Sequence, residues 1–473
     1  KSSLFEFVEQ VTELSAETFG RQADSNTPWV IDWYSPVCPH CVRFAPTWEK
    51  VGTALRDSDV RVGAVNCIKH RRLCQSLLVD SFPTLIALNA PGERRGTAAE
   101  PAVKIMKPTF STYHSVMDAV KTEFPSALQI DEAAAGSVAV ARALEQEETN
   151  LESVIEYVAG GGAPCKLRVE DAAVSIRFVL RNEVFTQGHK LDEQRMGALL
   201  SFLDLLATTF PGTMNRASFR GLATELRRDP GLNDFTRWEK RIETFHIGPL
   251  APSKEDNWPA ANIERGTETG VLNFTSGLWS LFHVLSVSSA PMRQNSYAVM
   301  EGIRSFVENF FRCQECRRHF LEMYATCDNG RCNISKSNNM RGQHISEGES
   351  ALALWVWRMH NAVNTRLARE SDQDVDPHKS LWPSATICKE CWSGFQQERD
   401  QPSWSETEVL KFIKGVFSCP EEVGEGPDAT ARSWVVNCVL VCTLAAVVMW
   451  ARKWVEMRGV GLTKKRGDAL PSL

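Results

Sequence analysis

The sequence has no excess of positive charge, no apolar leader and no zinc-ribbon spacing among its cysteines, and each absence removes a class of function. Its 53 lysines and arginines are outnumbered by 58 acids, for a formal net charge of −5. That balance argues against a general nucleic-acid binder, which carries a basic face. The opening KSSLFEFVEQ holds no h-region, so the chain reads as already processed. The C-x-x-C pairs 313/316 and 388/391 lie much farther apart than the ~15–20 residues of a zinc ribbon, which argues against a shared metal. With 43% hydrophobic and 23% charged residues the chain is neither disordered nor fibrous, and 473 residues allow roughly two to four domains.

What is present is cysteine in close pairs. Fourteen cysteines are too few for a disulfide mini-scaffold and many for a cytosolic enzyme, and ten of them stand at 38/41, 67/74, 313/316, 327/332 and 388/391. Such pairing indicates an oxidising compartment. Residues 433–451, SWVVNCVLVCTLAAVVMWA, carry no charge and as a helix would span roughly 28 Å, near the thickness of a bilayer core. Acids precede this run, Trp434, Trp450 and Trp454 flank it, and Arg452, Lys453 and Arg458 follow. The positive-inside rule then puts the tail in the cytosol and the rest in a secretory lumen or at the cell surface, as a single-pass membrane protein. A buried globular helix is the other reading. Asn273 and Asn333 begin glycosylation sequons, a pattern that also arises by chance.

The fold class expected is multidomain α/β plus all-α. PWVIDWY, VRVGAVNC and TLIALNA read as strands, and CVRFAPTWEKVGTAL and YHSVMDAVKTEF as helices, of a small α/β domain over 1–127. A linker, 128–164, ends in GGGAP. Residues 165–268 are helical in pattern, with no chemistry visible in them. A second helical block fills 269–419, where Val299, Ile303, Phe306 and Phe310 share a face and SETEVLKFIKGVF opens with a capping box of Ser405 and Glu408. A polar stalk, 420–432, precedes the membrane run, and 452–473 form the tail.

SPVCPHC places Cys38 and Cys41 after an apolar strand and at a helix start. A helix N-terminus and a nearby histidine favour the thiolate at Cys38, and Cys41 lies one turn in, placed to resolve a mixed disulfide. A bare C-x-x-C is equally compatible with a structural disulfide. Asp32 inside the apolar strand is expensive unless it has a task, and Pro83 in SFPT suits a cis bond facing the pair. VIDWYSPVCPHCVRFAPTWEKV followed by SFPTLIALNA resembles a thioredoxin or protein disulfide isomerase domain. That resemblance implies that Asp32 is a buried proton-transfer acid and Pro83 the cis-proline, with Cys38 the exposed, attacking sulfur. Cys67 and Cys74 are assigned a structural disulfide, with free buried thiols the alternative.

Around the later pairs the neighbours are informative. GLWSLFH puts Trp279 and His283 on one helix face, and LALWVWRMHNAVNTRLA aligns Trp357, His360, Asn361 and Asn364. HKSLWP adds Lys379 and Trp382. Helices presenting flat aromatics, imidazoles and amides beside a redox disulfide suit a flat, polar-edged redox ring. The motifs W-x-x-x-H, C-x-x-C-x-x-H-F, H-N-x-V-N and a late C-x-x-C resemble the Erv/ALR family of FAD-dependent sulfhydryl oxidases. Behind a thioredoxin-like domain and a helical spacer, the chain resembles the quiescin sulfhydryl oxidases of single-thioredoxin type.

The resemblance implies that residues 165–268 are a pseudo-Erv module without flavin. It implies FAD contacts at Trp279, His283, Glu315, His319, Trp357, His360, Asn361, Asn364, Lys379 and Trp382. An arginine sometimes found ahead of W-x-x-x-H has no counterpart here. Electrons would pass from thiol substrates to Cys38/Cys41, to Cys313/Cys316, to FAD and to molecular oxygen, giving hydrogen peroxide, after an inward swing of the thioredoxin-like domain. Cys388 and Cys391, and Cys327 and Cys332, are expected to form structural disulfides; the pairing of Cys165 and Cys419 stays open. A flavin-free, membrane-anchored disulfide isomerase and a disulfide-braced binding protein are the alternatives.

Overall fold

The computed structural model describes residues 3–6, 8–24, 27–91, 103–106, 112–125, 164–185, 190–248, 250, 258, 270–288, 295–334, 345–370, 381–385, 387–396 and 401–419. The linker up to 163, the stalk, the apolar run 433–451 and the tail lie outside them, as does Lys379.

A continuous apolar run makes the central strand. β2 (Trp29–Tyr34) is buried at all six positions, as expected of a strand covered on both faces. It pairs in parallel with β3 (Arg61–Asn66) and antiparallel with β4 (Thr84–Leu88). Short edge strands that lack the apolar run, β1 (Thr12–Glu13) and β5 (Val103–Met106), complete the order β1-β3-β2-β4-β5. Helices α1 (Ala16–Asp24), α2 (Pro39–Ala54), α3 (Arg71–Ser76) and α4 (Tyr113–Glu123) pack around this sheet. Cys38 is the N-cap of α2 and Pro39 its first residue, where a missing N–H costs nothing. Phe44, Trp48 and Val51 form the buried stripe of α2, and Trp48 Nε1 donates to the Gly63 carbonyl at 3.0 Å.

The rest of the described chain is mainly helical: α5 (Pro164–Asn182), α6 (Glu193–Thr209), α7 (Thr213–Arg228), α8 (Phe235–Glu243), α9 (Gly270–Val287), α10 (Ser296–Phe310), α11 (Gln314–Ala325), α12 (Ile345–Glu370) and α13 (Glu406–Phe417). A hairpin not anticipated from the sequence, β6 (Trp392–Gln396) with β7 (Gln401–Trp404), precedes α13. Asp192, Asp234 and Asn295 cap α6, α8 and α10 through their side chains.

The capping box expected at α13 is not formed. Ser405 occupies the N-cap, but its hydroxyl accepts nothing from the helix. Its backbone N–H donates to the Cys391 carbonyl at 2.9 Å, so the donor that Glu408 would accept is taken, and Glu408 pairs with Lys411 instead.

One apolar core runs through α5 to α13. α9 lies against α5 closely enough that a Cβ on Gly277 would meet Ser175 Oγ at 2.1 Å and the Trp258 ring at 2.6 Å. A disulfide between Cys165, at the start of α5, and Cys419, just past α13, joins positions 254 residues apart. In the chain-entropy treatment such a closure is worth on the order of 5 kcal/mol.

Candidate active site

The end of β2 and the start of α2 set a pair of thiols under the sheet's edge. Cys38 and Cys41 are both free and both buried. Burial alone would raise the Cys38 thiol. The Cys41 thiol and the backbone N–H groups of Cys41 and His40 outweigh it and hold Cys38 below its ordinary value. Burial pushes Cys41 well up, reinforced by its bond to Cys38 and by the charges of Cys38 and Asp32. Asp32 is fully buried with neither carboxyl oxygen hydrogen-bonded, and burial followed by the Cys38 charge raises it well above the carboxylate range. The Phe82–Pro83 bond is cis, and Cys38 Sγ lies 3.8 Å from the Phe82 carbonyl oxygen. One sulfur is thus prepared as a nucleophile and its partner is kept protonated beside a buried acid.

Cys38 is not exposed, contrary to the expectation from the sequence; only 6% of its surface is accessible. Cys313 and Cys316 form a disulfide at the start of α11, with Cys313 as N-cap. Cys313 is buried in the core of the α/β unit, together with Cys38, and Cys316 packs partly buried against that core. The Phe82 N–H, just before Pro83, donates to the Arg312 carbonyl at 3.2 Å. The Arg312 guanidinium lies 4.1 Å from the centroid of the Phe82 ring, donates from Nη2 to the Val79 carbonyl and from Nη1 to the Asn182 carbonyl at 3.3 Å. Its backbone N–H donates to Glu183 Oε2 at 3.1 Å. Burial pushes the Glu183 carboxyl up to about 7, against the pull of Arg312 and Arg195. Farther out, Arg71 and Arg72 of α3 both reach Glu239 of α8, at 2.7 and 2.8 Å. In this structure the α/β unit is seated on the helical part at the segment that carries Cys313.

α9, α12 and the segment around Trp382 build a second locus. The Trp279 ring stacks on His360, centroids 4.3 Å apart and planes 13° apart, and His360 stacks on Trp382 at 5.5 Å. His283 stacks on Phe417 at 4.7 Å and its Nε2 lies 3.4 Å from His360 Nδ1. Asn361 exchanges two bonds with the Trp382 backbone, donating to its carbonyl at 2.7 Å and accepting from its N–H at 2.8 Å. Trp357 Nε1 donates to the same carbonyl at 2.8 Å.

Burial drives His283 down to about 3, helped by the Arg168 charge, so its imidazole is neutral at neutral pH. The buried Nδ1 of His283 has no hydrogen-bond partner. Flat rings side by side, a neutral imidazole and an orphaned buried nitrogen fit a planar, polar-edged cofactor such as a flavin. Asn364 follows on the same helix. Glu315 and His319 sit apart on α11, 2.8 Å from each other within a charge network with Arg318 and Glu322.

The other cysteines among the described residues are oxidised. Cys67–Cys74, Cys327–Cys332 and Cys388–Cys391 are disulfides, as expected, and Cys165–Cys419 resolves the pairing left open. Reading motifs alone missed Arg312, Glu183, Phe82 and Phe417. A trace of Arg312 was visible, as a lone charge between an apolar run and a cysteine in FFRC.

Glu239→Ala removes the ion pairs with Arg71 and Arg72 and, through weaker docking, should speed alkylation of Cys38 by iodoacetamide about five-fold. Peptide mass spectrometry of chains reduced only at 38/41 reads this rate. An unchanged rate would show that the Arg71 and Arg72 contacts do not hold the units together.

The Erv1 / Alr family model matches residues 276–383 and the thioredoxin model residues 10–107. Sulfhydryl oxidase 1 of Gallus gallus is 24% identical to this chain, over 88% of it and 68% of the relative. Sulfhydryl oxidase 1 of Cavia porcellus is 25% identical, over 91% of this chain and 85% of the relative. The solved sulfhydryl oxidase fragment of human QSOX1 is 28% identical, covering 53% of this chain and 94% of that fragment, with a TM-score of 0.41. A thioredoxin unit and an Erv/ALR unit in one polypeptide, with sulfhydryl oxidases as relatives over most of its length, support the quiescin sulfhydryl oxidase family for this chain.

Proposed function

We propose that this FAD-dependent thiol oxidase takes electrons from its substrates at Cys38–Cys41 and hands them directly to Cys313–Cys316. The observation that carries the reading is the seating of Arg312–Cys313 against the Phe82–Pro83 segment, with Cys313 buried in the same core as Cys38. A substrate thiolate attacks Cys38 in its disulfide form and expels Cys41. The second substrate thiolate attacks the first and releases Cys38, so the substrate leaves as a disulfide. Reduced Cys38 then attacks Cys313, expelling Cys316 as thiolate. Cys41 gives its proton to Asp32, whose raised carboxyl brings the two affinities together, and attacks Cys38 to free Cys313. Two electrons have then passed from Cys38 and Cys41 to Cys313 and Cys316, with the Cys41 proton left on Asp32.

FAD would be held by Trp279, His283, Trp357, His360, Asn361, Asn364 and Trp382, with Glu315 and His319 on the neighbouring helix and Lys379 assigned from the sequence; when bound it would supply a two-electron acceptor open to reoxidation by oxygen, with hydrogen peroxide as product. Neutral His283 offers that site an imidazole without charge, and the Asn361–Trp382 bonds keep the rings in place. A flavin-free isomerase would have no use for a second disulfide laid over its own nucleophile. We read 1–127, 165–268 and 269–419 as the working units, joined by 128–164. The run 433–451, beyond the stalk 420–432, is read as a single anchor in a secretory membrane, with 452–473 cytosolic. No helix among the described residues is long and apolar enough to cross a membrane.

Two measurements check this reading. Anaerobic dithiothreitol should bleach the flavin absorbance of the parent, while in Cys313→Ser it should reduce 38/41 and leave the flavin oxidised; parental bleaching in the variant overturns the relay. His283→Ala should purify with a lower flavin-to-protein ratio and an unchanged far-ultraviolet helix signal, and a full flavin complement would remove His283 from the cofactor site.

A further inference from the structure

The contacts that hold Arg312 divide between two parts of the molecule, and one share stands alone. Asn182 and Glu183 belong to the helical part and leave with it when the units separate. The Phe82 N–H, the face of the Phe82 ring and the Val79 carbonyl all belong to the thioredoxin unit and stay beside Cys38. Asp80, exposed on the same loop, favours the guanidinium charge electrostatically. The backbone donor takes the carbonyl of the residue before the incoming cysteine. Ring face and carbonyl then take that residue's side chain, which must be a planar cation to use both.

Resting on the relay above, external substrates must present a cysteine to the same Cys38 sulfur that attacks Cys313, and so must occupy the same ground. We propose that the thioredoxin unit carries a subsite for an arginine immediately preceding the substrate cysteine, and that Arg312–Cys313 is its internal occupant. Polypeptides with an Arg-Cys step are therefore the favoured thiol substrates. Lysine, a point charge without the flat fork, fills the subsite less well. A glutamate there faces Asp80 and the Val79 carbonyl and is disfavoured. The internal segment competes with substrate and is displaced by it, so docking and substrate binding alternate at one site.

The test uses the full-length, flavin-loaded chain and flexible peptide dithiols that differ only in the residue before the first cysteine: arginine, lysine, alanine or glutamate. At low ionic strength, kcat/KM by oxygen uptake should be about tenfold higher for arginine than for alanine, with lysine between them and glutamate lowest. The difference should lie in KM with kcat unchanged, because the contact is made before chemistry. The arginine peptide with both cysteines replaced by serine should compete with peptide oxidation, and its alanine counterpart should compete about tenfold less well. Rates within twofold across the series, or glutamate preferred, would overturn the subsite. Dithiothreitol, which has no preceding residue, is oxidised in the same preparation whether or not the subsite exists, so its turnover reports on the oxidase reading separately.

Discussion

Arg312 carries a full charge into a place where only 5% of it meets solvent, at the meeting of the thioredoxin unit with both halves of the helical part. An isolated buried charge costs several kcal/mol, so the arrangement rests on the partners the guanidinium does find, its buried Nε having none. They are drawn from three segments: the Val79 carbonyl and Phe82 ring, the Asn182 carbonyl, and the Glu183 carboxylate against its backbone and charge. Remove the thioredoxin unit and the guanidinium keeps one carbonyl and regains water. Docking is therefore a balance between two solvated states rather than a permanent join, as a shuttle between substrate and flavin requires. Cys313, the next residue, is carried to Cys38 by the same balance.

The electrostatics of the dithiol fit that role. Cys38 is held low by helix-start donors and its partner, Cys41 is held high by burial, and Asp32 sits unpartnered where a proton must be received. Glu183 adds a further control, since its negative charge raises Cys38 while Arg312 restrains Glu183. The docked interface thus adjusts the thiol it covers. At the locus proposed for the flavin the logic differs: His283 is kept neutral by burial and Arg168, and stacked rings supply surface rather than charge.

Much of this was legible in the order of residues, because local chemistry leaves local marks. β2 announced itself as an uninterrupted apolar run, Asp32 as an acid out of place within it, and Pro83 as a proline in a position to turn cis. Trp279 with His283, and His360 with Asn361, share faces at helical spacing, and the structure does bring them together. Contacts between distant segments leave no such mark. Ser405 and Glu408 carry the capping-box pattern, yet a carbonyl from Cys391 takes the donor it needs. Cys165 and Cys419 are each solitary in sequence and meet across 254 residues. Arg312, more than 270 positions after Cys38, bonds the Phe82 segment beside it, and no periodicity or motif reports an approach of that kind.

The central claim is that Cys38 and Cys313 exchange directly within one chain. Replacing both resolving thiols, Cys41→Ser with Cys316→Ser, leaves a Cys38–Cys313 bond with nothing to attack it. Covalent connection makes the encounter intramolecular, at an effective concentration that can reach about millimolar. Mild oxidation followed by non-reducing electrophoresis and peptide mapping should give that disulfide in monomeric chains, in a yield independent of protein concentration. A Cys38–Cys313 link found only between chains, or no link with both units folded, would contradict the account.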